Sequence, residues 1–302
     1  MIFLVTIKLR YVSSVKILIT GNCQVVAVAK SLAYLHPTAA ISAFAETQFH
    51  EPDFRERFLA ASASADYVIG MPGSSLRHAL PDISTETKAR EIEIPPVVFR
   101  GFHPDCVYAF NSDDSVVSSV APYHSAILLW AYKHKKSQLQ AQSLFRDDVF
   151  AALGYYKTYD LEIAALVDSF SQTGINTRRW WQKLRRLGVF MHTINHPRAI
   201  VLASLAVEIS ESLQLPDKRD VALERYVQDE WLAGYVWPIY PDIAKVLGTS
   251  GSYTFRLGTI NFDDLASYVE ASWDAYSRVD FETLRCPRIY EERFSDILQS
   301  AL

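Results

Sequence analysis

The sequence predicts an α/β N-terminal part with a short parallel sheet, followed by a predominantly α-helical part that shares one core with it. Short apolar runs rich in β-branched residues alternate with helical segments in the first part, which is typical of βαβ units. Apolar residues at helical spacing dominate the rest of the chain. No linker rich in Gly, Ser or Pro separates the two parts, so we expect a common core.

Each element of the first part follows from a local pattern. Buried parallel strands are continuous apolar runs that end at Gly or Pro. The predicted strands are Val15–Thr20, Ala39–Ala45, Asp66–Met71 and Pro96–Arg100. Two helices are predicted between the first three strands, at Val25–Leu35 and Glu51–Ala63.

Helical periodicity defines the second part. His124–Lys135 is almost wholly apolar and predicts a buried helix, and Phe262–Tyr276 and Glu291–Leu302 are also helical in pattern. Apolar residues recur at spacings of 4, 3 and 4 in two further stripes, Tyr159/Ile163/Leu166/Phe170 and Leu202/Ala206/Ile209/Leu213. We therefore assign residues 15–120 to the α/β part and 121–302 to the helical part, with the change near residues 115–125. Residues 1–14 are an N-terminal extension or an edge strand.

Composition excludes several classes of protein. The 302 residues are 49% hydrophobic and 21% charged, which describes a globular chain rather than a disordered one. A net charge of −4 argues against nucleic acid as a partner. The three cysteines do not form a disulfide framework, which favours a reducing compartment. The apolar opening is a poor signal peptide and no run approaches the roughly 20 residues of a transmembrane span, so we expect a soluble, cytoplasmic protein.

The first candidate site is the turn Gly21-Asn22-Cys23-Gln24, between the first strand and the first helix. Ligands of open α/β sheets bind at the carboxyl ends of strands, where a helix N-terminus offers free N–H groups and a positive partial charge. We expect this position to lower the pKa of the Cys23 thiol, and the turn to offer oxyanion donors. The alternative is a buried structural cysteine.

A second candidate, Phe102-His103-Pro104-Asp105, follows the predicted fourth strand. A histidine and a carboxylate are the parts of a general base and the group that orients it. The alternative is a turn in which His103 packs and Asp105 caps backbone amides. Asp105 need not contact His103, since the carboxylate can serve another group.

His124 and Ser125 open the apolar helix, where they either cap it or contact a ligand.

A further segment runs from His192 to Arg198. Pro197 predicts the first residue of a helix, capped by Asn195 or His196. Arg198 in a first turn opposes the helix dipole unless an anion such as a phosphate offsets it. His192 and His196 have the spacing of a helical metal pair, but Pro197 makes this stretch a loop, and no Glu or Cys nearby completes a ligand set. We predict substrate or cofactor binding and no metal.

Taken in order, these motifs resemble the WcbI-like family of polysaccharide-biosynthesis proteins. The resemblance rests on Gly-Asn-Cys-Gln at 21–24, Phe-His-Pro-Asp at 102–105, His-Ser at 124–125, Thr-Ile-Asn-His-Pro at 193–197 and Gly-Ser-Tyr at 251–253. It implies a mostly helical fold with some α/β character, binding of coenzyme A or acetyl-CoA, a homodimer, and acetyl transfer to a sugar hydroxyl of a capsule or exopolysaccharide precursor.

Two mechanisms fit these residues. In one, Cys23 accepts the acetyl group as a thioester that the sugar hydroxyl attacks. In the other, a histidine base activates the hydroxyl for direct attack on acetyl-CoA, and the turn supplies oxyanion donors. His103 oriented by Asp105 is the preferred base, and His192 is the reserve.

The cofactor is expected to contact three groups of residues: Gly21, Asn22 and Gln24; His124 and Ser125; and Asn195, His196 and Arg198. The alternatives are a carbohydrate esterase with the same oxyanion turn and a non-catalytic nucleotide- or sugar-binding protein of glycan assembly.

Overall fold

The computed structural model describes residues 15–71, 89–112 and 121–302, so the predicted extension at 1–14 lies outside the described residues. The chain divides into two compact units, which we describe one at a time. The first unit comprises the chain as far as Pro95 together with residues 205–225. The second comprises residues 96–204 and 226–302.

A parallel sheet forms the centre of the first unit. Its strands are β1 (Lys16–Gly21), β2 (Ala40–Ala45), β3 (Tyr67–Gly70) and β4 (Arg90–Glu93), in the order β2-β1-β3-β4. Helices α1 (Gln24–Leu35) and α2 (Phe54–Ser64) follow β1 and β2, and a 3-10 turn at Glu46–Gln48 lies between β2 and α2. The first three predicted strands and both predicted helices are confirmed to within a few residues.

The central position of β1 explains its uninterrupted apolar sequence. Ile17, Leu18 and Ile19 are at most 2% exposed, which is typical of a central strand in a parallel sheet whose faces are covered. Leu18 belongs to a core cluster with Phe44 of β2 and with Phe54 and Phe58 of α2.

The predicted fourth strand, Pro96–Arg100, is wrong. The strand is Arg90–Glu93, and the residues from Ile94 to Arg100 form no strand. Pro95 and Pro96 have no N–H to donate to a sheet ladder, so the pairing ends before them. The Phe99 N–H donates instead to the Ile194 carbonyl at 2.8 Å, within the second unit.

Residues 205–225, which the sequence analysis assigned to the helical part, are held within the first unit by polar contacts. The two ring nitrogens of His36 lie 2.8 Å from the Ser210 hydroxyl and 2.8 Å from the Pro216 carbonyl. Arg90 donates to the Leu213 carbonyl at 2.9 Å, at the end of a helix. Such contacts join positions that are far apart in the sequence, and hydropathy patterns do not report them.

Helices dominate the second unit, where the strands are short. The helices are α3 (Ala126–Lys133), α4 (Gln138–Ser143), α5 (Asp147–Ala152), α6 (Tyr155–Ser169), α7 (Thr177–Arg186), α8 (Ala199–Leu213, which continues into the first unit), α9 (Pro241–Leu247), α10 (Leu265–Ser277) and α11 (Glu292–Ser300). The strands β5 (Cys106–Val107) and β6 (His124–Ser125) pair antiparallel, and β7 (Tyr235–Val236), β8 (Phe255–Leu257) and β9 (Ile260–Phe262) form a three-stranded antiparallel sheet. The predicted fold class is confirmed.

Three predicted helices begin later than expected. His124 and Ser125 pair with β5, so α3 begins at Ala126. Phe262 ends β9, and α10 follows it. Pro197 forms a bridge with Met191, so α8 begins at Ala199 and the prediction of a helix start at Pro197 is wrong. In each case the residues that precede the helix pair with another segment in a short strand or a β-bridge.

Large aromatic side chains fill the interior of the second unit. Trp130, Trp180 and Trp237 are at most 2% exposed, and every residue of α3 from Ala126 to Ala131 is completely buried. Among the described residues, none of the helices is both long and apolar enough to cross a membrane.

Candidate functional site

The turn after β1 requires glycine at its first position. Gly21 is the last residue of β1 and has φ +154°, a conformation that residues with a side chain rarely adopt. A Cβ at this position would lie 2.7 Å from the Cβ of Met71, which is closer than van der Waals contact allows. Gly21 therefore lets the neighbouring chain pass directly beside the turn.

Asn22 and Gln24 shape the start of α1. The Asn22 side-chain oxygen accepts the Gln24 N–H at 2.9 Å, and the Asn22 carbonyl accepts the Val25 N–H at 3.2 Å. Cys23 is the N-cap residue and is half-buried, whereas Gln24 is completely buried. Cys23 and Asn22 are thus the members of the turn that stay partly accessible at the carboxyl edge of the sheet.

The expectation of a lowered pKa for Cys23 is wrong. Burial has the largest effect and raises the pKa of this thiol, a backbone hydrogen bond lowers it by less, and the negative charge of Glu46 adds a smaller rise. The loss of hydration outweighs the partial charge of the helix N-terminus. Cys23 is mostly a thiol at neutral pH, so a nucleophilic role requires a base.

The influence of Glu46 can be measured directly. We expect Glu46→Gln to increase the rate of Cys23 alkylation by iodoacetamide at pH 7.5 about twofold, because removing a nearby negative charge favours the thiolate. Cys106 and Cys286 are at most 2% exposed and contribute little to the signal. Glu56→Gln, at an exposed carboxylate of α2, is the matched control. An unchanged or slower rate in Glu46→Gln would contradict the charge effect.

A buried hydroxyl without a partner lies one residue before this turn. Thr20 Oγ1 has no hydrogen-bond partner in the part of the chain that the structure describes. Buried polar atoms are rarely left unpaired, and a ligand that bonds to them removes the cost. An unpaired buried hydroxyl three residues before Cys23 fits a polar ligand at the turn.

Asp105 does not orient His103, so the predicted pair is wrong. The fully buried Asp105 carboxylate accepts hydrogen bonds from the hydroxyls of Ser125, Tyr155 and Tyr240, the last two at 2.9 and 2.8 Å, and from the Ile127 N–H at 3.1 Å. These donors use its lone pairs. The open alternative, in which Asp105 serves backbone amides and other groups, describes the structure.

His103 is buried and held in its neutral form. Its Nδ1 lies 3.3 Å from the Pro238 carbonyl, and its buried Nε2 has no hydrogen-bond partner among the described residues. Burial lowers the pKa of His103 to about 4, and nearby His192 contributes in the same direction. A base works best when its pKa is near the working pH, so His103 is a weak proton acceptor.

Ser125 and His124 are engaged within the second unit. Ser125 Oγ donates to Asp105 and accepts the Leu128 N–H at 3.2 Å, which caps α3 as the structural alternative predicted. His124 is buried, with Nδ1 3.3 Å from the Tyr276 hydroxyl. The completely buried Ser125 hydroxyl has both its proton and an acceptor position occupied.

Asn195 and His196 do not cap α8, contrary to the prediction, because its first residue is Ala199, three residues after His196 and four after Asn195. The Tyr123 hydroxyl donates to Asn195 Oδ1 at 2.6 Å and lies 3.2 Å from His196 Nδ1. The His196 ring stacks on Tyr235 with ring centres 6.3 Å apart. Burial lowers the pKa of His196 to about 4, so its ring is neutral. Asn195, His196 and Tyr235 are half-buried and Tyr123 is buried beneath them, so these groups form a polar and aromatic patch on the second unit.

Arg198 immediately precedes α8. Its side chain donates one hydrogen bond, from Nη1 to the Val189 carbonyl at 3.3 Å. A guanidinium has five N–H donors, so Arg198 retains donors that suit a phosphate.

His192 has a carboxylate partner that the sequence analysis missed. His192 Nε2 lies 3.0 Å from Asp229 Oδ2, and the side chains are 9% and 25% exposed. Asp229 is one acid among many in a segment without periodicity, so no signal in the sequence marked it. A histidine with an oriented carboxylate is the arrangement that was expected at His103 and Asp105.

A protein-family model matches two thirds of the chain. The family model described as "Polysaccharide biosynthesis enzyme WcbI" matches residues 16–218, which include β1, the Cys23 turn and the segment from His192 to Arg198. The chain belongs to the WcbI polysaccharide biosynthesis enzyme family. As a WcbI-family member it is an enzyme of polysaccharide biosynthesis. Asp229 lies beyond the matched range.

A solved structure supports the fold of this WcbI-family chain. That structure is described as native WcbI, a novel polysaccharide biosynthesis enzyme, without a disulfide bond between coenzyme A and a cysteine of that protein. The similarity covers 96% of this chain and 99% of the other, with a TM-score of 0.68 and 14% identity. No curated protein sequence matches the chain. At this identity the similarity establishes the fold.

Proposed function

We propose that this chain is a CoA-dependent acyltransferase that moves an acetyl group from acetyl-CoA to a sugar hydroxyl in polysaccharide biosynthesis. The observation that carries the proposal is the half-buried Cys23 thiol at the N-cap of α1, at the carboxyl edge of a parallel sheet. The unpaired Thr20 hydroxyl, three residues earlier in the chain, fits a polar ligand. The description of the structural relative, which mentions coenzyme A and a cysteine, agrees with a thiol-bearing ligand.

Each part of the proposed site has one task. Acetyl-CoA supplies an activated acyl group as a thioester. The Cys23 turn either accepts this acyl group on sulfur or stabilises the oxyanion that forms when the sugar attacks. Asn195, His196 and Arg198 provide polar and charged groups for cofactor phosphates.

The proposed reaction needs a base, and His192 is the better of the two candidate histidines. In direct transfer, the sugar oxygen bonds to the acetyl carbon as its proton passes to the base, the C–S bond breaks, and the departing sulfur takes up a proton. In the covalent route, the same exchange occurs first with the Cys23 thiol and then with the sugar. His103 is a weak acceptor because its pKa is about 4. We therefore assign the base role to His192.

Isotope-labelled acetyl-CoA tests the function and separates the routes. We expect the full chain to transfer label to at least one member of a panel of hexoses and nucleotide sugars. In the covalent route, protein incubated without acceptor carries label that neutral hydroxylamine releases, as it does from a thioester. Cys23→Ala then abolishes this label and lowers transfer about 100-fold.

Controls define the outcomes for this experiment. Cys286→Ala, at a buried cysteine that the proposal does not use, should retain both signals. Near-normal turnover in Cys23→Ala eliminates the covalent route, and comparison with Cys23→Ser isolates the contribution of sulfur. Hydrolysis of a chromogenic acetyl ester without CoA, in the absence of transfer, would replace the proposal with an esterase. CoA binding in calorimetry without transfer to any acceptor would replace it with a binding protein.

Three finer points belong to the same proposal. We infer that the acceptor is a capsule or exopolysaccharide precursor, that the reaction takes place in the cytoplasm, and that the enzyme is a homodimer. The support is the resemblance of the ordered motifs, together with the family match over residues 16–218. Light scattering of the purified chain measures the oligomeric state.

A further inference from the structure

The imidazole of His192 is fixed from several sides. Its backbone N–H donates to the His196 carbonyl at 2.7 Å, and its carbonyl accepts the Trp237 N–H at 2.8 Å. The ring itself contacts Asp229 through Nε2 at 3.0 Å. A side chain held at both its backbone and its ring has little rotational freedom left, which is what a positioned base requires.

Asp229 is itself held in its ionised form. Burial acts to raise the pKa of Asp229, but hydrogen bonding to His192 and the charge of protonated His192 lower it. The Ala199 N–H at the start of α8 and the guanidinium of Arg198 lower it further, and the net effect is a pKa below the usual range. A carboxylate beside a helix N-terminus is stabilised by the helix dipole. Asp229 thus has reason to remain charged while His192 changes protonation.

Hydrogen-bond direction then defines the roles of the two ring nitrogens. An ionised carboxylate only accepts hydrogen bonds, so Nε2 of His192 must carry the proton in this contact. In a neutral imidazole the other nitrogen, Nδ1, then has a free lone pair. Nδ1 has no hydrogen-bond partner in the described ranges 15–71, 89–112 and 121–302. The atom that can take up a proton is therefore available.

We propose that Asp229 is the positioning residue that makes His192 the general base of acyl transfer, a role that rests on the proposed function. Asp229 accepts the Nε2–H and leaves Nδ1 to take the proton of the attacking hydroxyl. The resulting imidazolium is stabilised by the carboxylate, and its Nδ1–H then returns the proton to the departing sulfur. Asp229 stays ionised throughout and forms no covalent bond.

The surroundings of His103 explain why the base lies at His192. His103 contacts the Pro238 carbonyl rather than a carboxylate, and no described group stabilises its protonated form with a negative charge. The one nearby carboxylate in sequence, Asp105, is occupied by Ser125, Tyr155 and Tyr240. Of the two candidate histidines, His192 has the ionised partner.

Asp229→Asn tests the assignment with two readouts. We expect kcat for acetyl transfer to fall about 100-fold, while KM for acetyl-CoA changes less than about twofold, because the carboxylate acts on the base and not on cofactor binding.

Nitrogen-15 NMR of labelled histidine provides the second readout, independent of activity. Wild-type protein should show neutral His192 as a single Nε2–H tautomer, and Asp229→Asn should show a mixture or the Nδ1–H form. Asp229→Glu should retain the tautomer and restore part of kcat. Asp274→Asn, which removes an exposed carboxylate paired with Arg278, should change neither signal.

The outcomes separate this inference from the proposed function. Wild-type kcat in Asp229→Asn, or an Nδ1–H tautomer in the wild type, overturns the role of Asp229. Absence of transfer by the wild type with every acceptor overturns the proposed function, and the wild-type tautomer still tests the His192–Asp229 contact. That measurement needs no variant, so misfolding of Asp229→Asn does not prevent a decision.

Discussion

Replacing Asp105 with alanine is expected to destabilise the second unit by about 3–5 kcal/mol, because the change removes one acceptor from several buried donors at once. The carboxylate is fully buried, and burial raises its pKa while the Ser125 hydroxyl, the Ile127 N–H and two tyrosines act in the opposite direction. Without it, the hydroxyls of Tyr155 and Tyr240 lose their described partner in a region that excludes water.

A graded series of variants gives this prediction a control at each step. Tyr155→Phe and Tyr240→Phe each remove one donor and should lower the free energy of unfolding by about 1 kcal/mol. Asp274→Asn, at an exposed i,i+4 pair with Arg278, should have little effect. Urea denaturation followed by tryptophan fluorescence measures all four variants. An Asp105→Ala protein as stable as Tyr155→Phe would show that the network is not cooperative.

Acidification is expected to destabilise the protein between about pH 6.5 and pH 4 through His103. The pKa of His103 is about 4 in the folded protein and about 6.5 in an unfolded chain, so the unfolded state binds the proton first as pH falls. The stability that neutral His103 retains at pH 7 is therefore lost below pH 6.5. The contribution of His103 between pH 7 and pH 5 is about 2 kcal/mol.

The variant His103→Gln isolates this effect from other titrating groups. Glutamine can still donate to the Pro238 carbonyl but does not titrate, so its stability should fall less steeply over the same pH interval. His196, with a similar pKa of about 4, contributes in the same direction in both proteins and cancels in the difference. Denaturation at pH 7, 6 and 5 provides the measurement. Identical slopes for the two proteins would contradict a buried, neutral His103.

Local sequence patterns correctly predicted those strands and helices that are defined by residues close together in the chain. The apolar run of β1, the following Gly21 and the helical pattern of α1 placed Cys23 at the carboxyl edge of the sheet, where the structure has it. The predicted strand at Pro96–Arg100 failed because the Pro95-Pro96 pair lacks donors and Phe99 bonds to Ile194 instead. The hydrophobicity of this segment predicted that Phe99 is buried, but it did not predict which carbonyl accepts the Phe99 N–H.

The hydrogen-bond partners of polar side chains in the second unit could not be predicted from the sequence. Asp105 and His103 are two residues apart, and this proximity led to the prediction that they pair. The Asp105 carboxylate instead accepts hydrogen bonds from side chains that are 20, 50 and 135 positions away. His192 and Asp229 are 37 residues apart and are brought together where Asp229 lies near Ala199, the first residue of α8. The expected thiolate at Cys23 also failed, because a helix N-terminus is visible in a sequence but the degree of burial and the charge of Glu46 are not.

The sequence by itself determined the parallel sheet, the cysteine turn and the family, because these depend on residue patterns that are continuous along the chain. Only the tertiary structure decided which histidine has a carboxylate and which thiol or imidazole loses its hydration. Hydrogen bonds and desolvation depend on distances between remote residues, and those distances exist only once the chain has folded.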